Sequence, residues 1–131
     1  MGLDMYILSL PEGMDARSRS RRWDSATEEV YWRKANAIHG WFVHNVQNDV
    51  DQCQWARIRK SDIKKLIDAC NYVLNGGEGW EDVLPPTQGF FFGSYGYDSD
   101  YVDDIEFTQK KLTELLERWN PRKYYYYHSS W

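Results

Sequence analysis

Residues Tyr31 to Phe42 read YWRKANAIHGWF and crowd two tryptophans, an arginine, a lysine, an asparagine and a histidine into twelve positions. The apolar residues of this run recur at helical spacing, so it is predicted to lie on a helix. Arg33, Asn36 and His39 stand three apart, which on a helix lets all three address one point in space. Arginine offers a planar fork for phosphate or carboxylate. Asparagine both donates and accepts, as a base edge or a ribose hydroxyl requires. His39 can hydrogen-bond a phosphate, and Trp32 beside it can stack on a ring. Gly40 weakens a helix interior by about 1 kcal/mol relative to alanine, a loss that makes sense where another backbone or a ligand comes close. The combination predicts a pocket for a planar, anionic small molecule.

A second run, GFFFGSYGYD from Gly89 to Asp98, sets aromatics among glycines. As a short strand, Phe90 and Phe92 share one side and are candidates to stack on a ring, with Phe91 opposite. The Gly93 and Ser94 amides are candidates to hold an oxyanion, and Tyr97 adds a further ring. The glycine spacing is not that of a dinucleotide or phosphate loop. Asp98, Asp100, Asp103, Asp104 and Glu106 follow. Such carboxylates can ligate a divalent cation, but their spacing is not that of a calcium loop, and acids suit the first turn of a helix. No metal or other cofactor is assigned. No serine–histidine–aspartate or cysteine–histidine set has a recognisable context, so no catalytic residue is assigned and binding is favoured over catalysis.

The elements that must position these residues follow from periodicity. Met5–Leu10 is a β-prone run stopped by Pro11. Pro11 to Ser25 reads as a loop, with the basic cluster from Arg17 to Arg22 solvated. A first helix is predicted from Thr27 to Gln47, with Tyr31, Ala35, Ile38, Phe42 and Val46 as its core face. A short strand is predicted at Trp55–Ile58. A second helix is expected from the cap Ser61 to Leu74, where Gly76 and Gly77 end it. A third runs from Ser99 to Trp119 and stops at Asn120-Pro121. The aromatic segment Lys123–Trp131 is predicted to be a final strand that pairs with Met5–Leu10. These elements make one α+β domain over 1–131: three main helices packed on a small, mainly antiparallel sheet of short strands.

With 131 residues and 42% hydrophobic content, the chain can bury a core without staples. A net charge of -4 excludes a general binder of DNA or RNA polymers, which needs a basic footprint, but leaves room for a small anion held by a few local cations. Aromatic content of 17% exceeds what a core needs and points to pockets or interfaces. Alternating Tyr124–Tyr127 put rings on both faces of the last strand, so both faces are expected to be covered, which favours a homo-oligomer. Two cysteines without paired spacing, no membrane-length apolar run and no leader peptide predict a cytoplasmic protein with no membrane partner.

The segments MGLDMY at Met1–Tyr6, YWRKANAIHGWF at Tyr31–Phe42, LPPTQGFFFGS at Leu84–Ser94 and the Ser-Ser-Trp ending resemble a family of small proteins encoded by phages and prophages. The resemblance implies residence in the bacterial host cytosol. It also implies a function of anti-defence type, in which a nucleotide-derived immune signal is bound and sequestered. That task uses stacking rings, a few cations and amide contacts. The alternatives are an enzyme that cleaves such a signal, with His39 or His44 as acid/base beside Asp98 or Asp100, and an inhibitor that docks on a host protein through aromatic hot spots.

Overall fold

Period-two burial sets β2 against the first half of β1. In β1 (Asp4–Leu10), Met5 and Ile7 are buried on the side that also takes Leu3. In β2 (Thr27–Arg33), Val30 and Trp32 are buried while Tyr31 and Arg33 are exposed. The register pairs Met5 with Trp32 and Ile7 with Val30, so the inward residues stand side by side. The computed structural model describes residues 2–12, 22–87 and 96–131. Its four strands are antiparallel in the order β2-β1-β4-β3, with β3 at Ala56–Ile58 and β4 at Tyr124–Ser130. The expected pairing of the first and last strands is present along the whole of β1, from Asp4↔Ser130 to Leu10↔Tyr124.

The register of β1 against β2 shifts between Ile7 and Leu8, where Leu8 meets Glu28 and Glu29 is left without a partner. This bulge is closed from outside. Arg118 donates from Nη2 to the Glu29 carbonyl at 3.0 Å and from Nε to its carboxylate at 3.2 Å, while Ser9 Oγ donates to the other carboxylate oxygen at 2.7 Å.

Three helices cover the inner side: α2 (Asn36–Asn45), α3 (Lys60–Leu74) and α4 (Ser99–Glu117); a four-residue turn, α1, spans Arg22–Ser25. In α3 the buried residues are Ile63, Leu66, Cys70 and Val73; in α4 they are Tyr101, Ile105, Thr108, Leu112 and Leu115. Both follow the three-four spacing of an amphipathic helix. Gly76, at φ 66°, follows the end of α3. Arg59, not Ser61, precedes the first turn of α3, and its N–H donates to Asp62 at 2.8 Å. The core is more aromatic than a pocket-based reading of the composition allows. Tyr127 stacks on Phe42 at 4.0 Å and Tyr125 on Trp119 at 3.8 Å, and both tyrosines are buried. Such rings bury about 150–250 Å² each, so part of the aromatic content is core.

The predicted helix Thr27–Gln47 is corrected: its first seven residues are β2, and α2 begins only at Asn36. Lys34 sits in the left-handed region at φ 57°, which no helix interior accommodates. Its N–H is tied to the Leu3 carbonyl at 2.7 Å, so the turn is held by the strand beside it. The alternation of Val30, Tyr31 and Trp32 and its β-prone residue types win over the helical spacing of the longer window. Among the described residues, no helix is long and apolar enough to cross a membrane. The strand expected at Phe90–Phe92 and most of the basic run Arg17–Arg22 lie outside the described residues.

Candidate functional site

A cleft of about 350 Å³ opens where β2 turns into α2. Arg33, Lys34, Asn36 and Ala37 form one wall. The other comes from the start of α4: Asp98, Asp100, Tyr101, Asp103 and Asp104, with Gly96 before them. The first wall is electropositive for two reasons. Arg33 and Lys34 carry full charges, and α2 begins there with Ala35 at its N-cap, a residue with no side chain to accept from the first amides, and no acid in the first turn. Helix ends left in that state favour anions.

Arg33 is half exposed and donates from Nη1 to Asp4 Oδ1 at 3.3 Å; Tyr31 donates to the same oxygen at 2.5 Å. Gly2 makes room for both cations. A Cβ placed on it would lie 3.1 Å from Arg33 Nη2 and 3.3 Å from Lys34 Cε, and its φ of +150° suits glycine.

The carboxylate wall has internal structure. Asp98 caps α4, accepting from the Tyr101 N–H at 3.0 Å. Burial, then the charges of Asp100, Asp103 and Asp98, push the Asp104 carboxyl up to about 7. At neutral pH it is therefore shared between donor and acceptor forms. Among the described residues, no group of three or more histidine, cysteine, aspartate or glutamate side chains is arranged to hold a metal ion.

The structure brings together two of the residues singled out in the sequence, Arg33 and Asn36, though not on one helix face: Arg33 ends a strand and Asn36 begins a helix. Asn36 is buried, and its Oδ1 accepts from the Thr87 N–H at 3.0 Å.

Trp32 is corrected from a stacking residue to a core residue. It is 3% exposed, and its Nε1 donates to Thr108 Oγ1 at 2.8 Å. A strand residue that alternates with exposed Tyr31 and Arg33 must face inward.

His39 is corrected likewise. It is fully buried and held between Asp51 Oδ2, 2.9 Å from Nε2, and the Tyr127 hydroxyl, 2.6 Å from Nδ1. Burial lowers its pKa, against the raising pull of Asp51. A carboxylate only accepts, so Nε2 carries the proton of the neutral ring and Nδ1 accepts from Tyr127. Asp51 Oδ1 also accepts from Trp131 Nε1 at 3.0 Å. This is a structural network, out of reach of a phosphate.

Gly40 is explained without a ligand: a Cβ there would lie 2.2 Å from Thr87 Oγ1. Tyr97 donates to the Glu81 carbonyl at 2.6 Å and packs edge-on against Trp80 and against Tyr101 of the cleft wall, without itself lining the cleft. Phe90, Phe92, Gly93 and Ser94 lie outside the described residues. His44 is exposed and paired with Asp49 at 2.8 Å, and does not line the cleft that holds the aspartates.

Sequence reasoning missed Lys34, Tyr101 and Thr87, and it did not set the aspartates opposite Arg33. The signals available were the adjacency of Lys34 to Arg33 and the density of acids at 98–104. Nothing local joins either to the other, because the walls meet only in three dimensions. Compared with protein-family models, with curated proteins and with solved structures, the chain matches none.

Proposed function

We propose that the protein binds and sequesters a small nucleotide-derived signal in the cleft between the β2–α2 turn and the start of α4. The observation that carries this reading is the uncapped N-terminus of α2 flanked by Arg33 and Lys34 inside a cleft whose opposite wall is carboxylate. A phosphate belongs at the first wall, which Arg33, Lys34 and the start of α2 line. The hydroxyls of a sugar and the N–H groups of a base belong at the second, since carboxylates are acceptors. A simple anion, with no donors, would gain nothing from that second wall. The ligand is therefore anionic at one end and rich in donors at the other.

The phage-type resemblance places this binding, in our proposal, in the cytosol of a bacterial host, as removal of an immune signal. Association of copies is part of the same proposal. The test is recovery of ligand. Protein incubated with candidate nucleotide signals is reisolated and heat-denatured, and the released material is analysed. Intact nucleotide in stoichiometric amount supports sequestration. Arg33→Ala should lose uptake with its melting temperature nearly unchanged; full uptake by that variant removes the cleft from the function.

One observation favours a second reading, cleavage of the bound nucleotide. Asp104, titrating near 7 in the cleft, is suited to general acid/base work in a way that buried His39 and distant His44 are not. Altered nucleotide in the same assay, lost on Asp104→Asn, supports it.

A further inference from the structure

A second cleft, of about 270 Å³, lies further along α2. Its lining includes Trp41, His44, Asn45, Asp82, Pro85 and Thr87. The two clefts are neighbours through shared and bonded residues. Ala37 lines both. Asn36 of the first accepts a hydrogen bond from Thr87 of the second at 3.0 Å, and Tyr101 of the first donates to the Leu84 carbonyl of the second at 2.8 Å.

Their chemistries differ in a complementary way. The first holds Arg33, Lys34 and the α2 amides. The second has no lysine or arginine among its described lining; it is lined by Trp41 and Pro85 and, around them, by His44, Asn45 and Asp82, with His44 Nδ1 held by Asp49 and Asn45 Nδ2 donating to the Trp41 carbonyl. A phosphate has no counter-charge there. A neutral heterocycle does have what it needs: a ring to lie against and polar groups to read its edge.

We propose that the two clefts are halves of one site, and that the ligand is two-headed: two nucleoside units joined through phosphate. The linking phosphate lies toward Arg33 and Lys34, and the second base lies against Trp41. The proposal rests on the reading of the first cleft given above and adds the ligand's class to it. Either volume alone is at or below the small end of ligand pockets, about 300–1,000 Å³, and the pair together fits well inside that range. Thr87 then stands between the two heads, with its hydroxyl over Gly40 and its amide on Asn36. Joining two weak half-sites raises affinity without new contacts, because the second head binds at a high effective concentration.

Calorimetry on the full chain tests this with mononucleotides and their linear dinucleotides as probes: AMP against pApA, and GMP against pGpG. In at least one pair the dinucleotide should bind about 100-fold or more tighter than the mononucleotide. Trp41→Ala should bring that ratio close to one. His44→Ala, an exposed change, should lower the ratio as well and serves if Trp41→Ala unfolds the domain. Arg33→Ala should weaken mono- and dinucleotide together. Mononucleotide binding with no dinucleotide advantage in either pair, or an advantage untouched by both second-cleft variants, overturns the two-headed ligand and leaves the first cleft standing. Absence of binding by all four probes overturns both.

Discussion

Thr87 occupies the space that a side chain on Gly40 would need, with its Oγ1 2.2 Å from where a Cβ would be built. The glycine in the middle of α2 is thus fitted to a segment 47 residues further along the chain. That contact, with the Thr87 amide on Asn36, lays the Leu84–Thr87 stretch across the helix that carries the electropositive wall.

Gly40→Ala should therefore destabilise. In an open helix the change gains about 1 kcal/mol; here overpacking should cost about 1–3 kcal/mol. The double variant Gly40→Ala/Thr87→Ala removes the clashing hydroxyl and should recover most of the loss. Thermal melts of the four proteins in this cycle check it. Additive effects would show that Thr87 yields freely.

Trp32→Phe should lower stability by about 1–3 kcal/mol, from loss of the buried bond to Thr108 and of filled volume. Affinity measured on the folded fraction should stay at the wild-type level, because Trp32 faces the core. An affinity change at constant stability would return Trp32 to the site.

His39 predicts a dependence on pH. Its folded pKa lies below the ordinary 6.5, so in that window the unfolded chain binds more protons. Its contribution is fully present above pH 6.5, declines as pH falls through that value, and levels off below the folded pKa. His39→Gln removes this slope. The melting-temperature gap between wild type and variant should narrow from pH 7.5 to 5, and a constant gap would sink the assignment.

Asp104 predicts the opposite slope. Its folded pKa of about 7 lies above the ordinary 3.8, so the folded state holds the extra proton and stability rises as pH falls between them. Asp104→Asn should raise the melting temperature most above pH 7, with the advantage shrinking steadily toward pH 4. Melts at pH 8, 6 and 4.5 decide it. An advantage independent of pH would mean that the carboxyl is not perturbed.

Much of the architecture was legible from local pattern. The amphipathic spacing of Ile63, Leu66, Cys70 and Val73, and of Ile105, Leu112 and Leu115, marked α3 and α4. β-prone residue types and the Pro11 stop marked β1, and aromatic content marked β4. Those signals are local, because an element that buries one face must repeat its apolar residues at its own period. The stretch from Thr27 to Gln47 misled because Tyr31, Ile38 and Phe42 satisfy a helical spacing while Val30 and Trp32 satisfy a strand. The sheet decides between them: pairing Met5 with Trp32 and Ile7 with Val30 buries both inward residues, and a helix there could not.

By itself the sequence determined the α+β class, the end-to-end pairing of first and last strands, and the presence of unusual cations and amides around Arg33 and Asn36. Only the tertiary structure decided which of these face a cleft. It turned Trp32 and His39 inward, placed Thr87 on Gly40, and set the Asp98–Asp104 carboxylates across from Arg33 and Lys34. The physical reason is range. Periodicity reports on neighbours a few residues away, whereas His39 meets Tyr127 across 88 positions and Trp32 meets Thr108 across 76. Such partners are chosen by packing, and packing is a property of the whole chain.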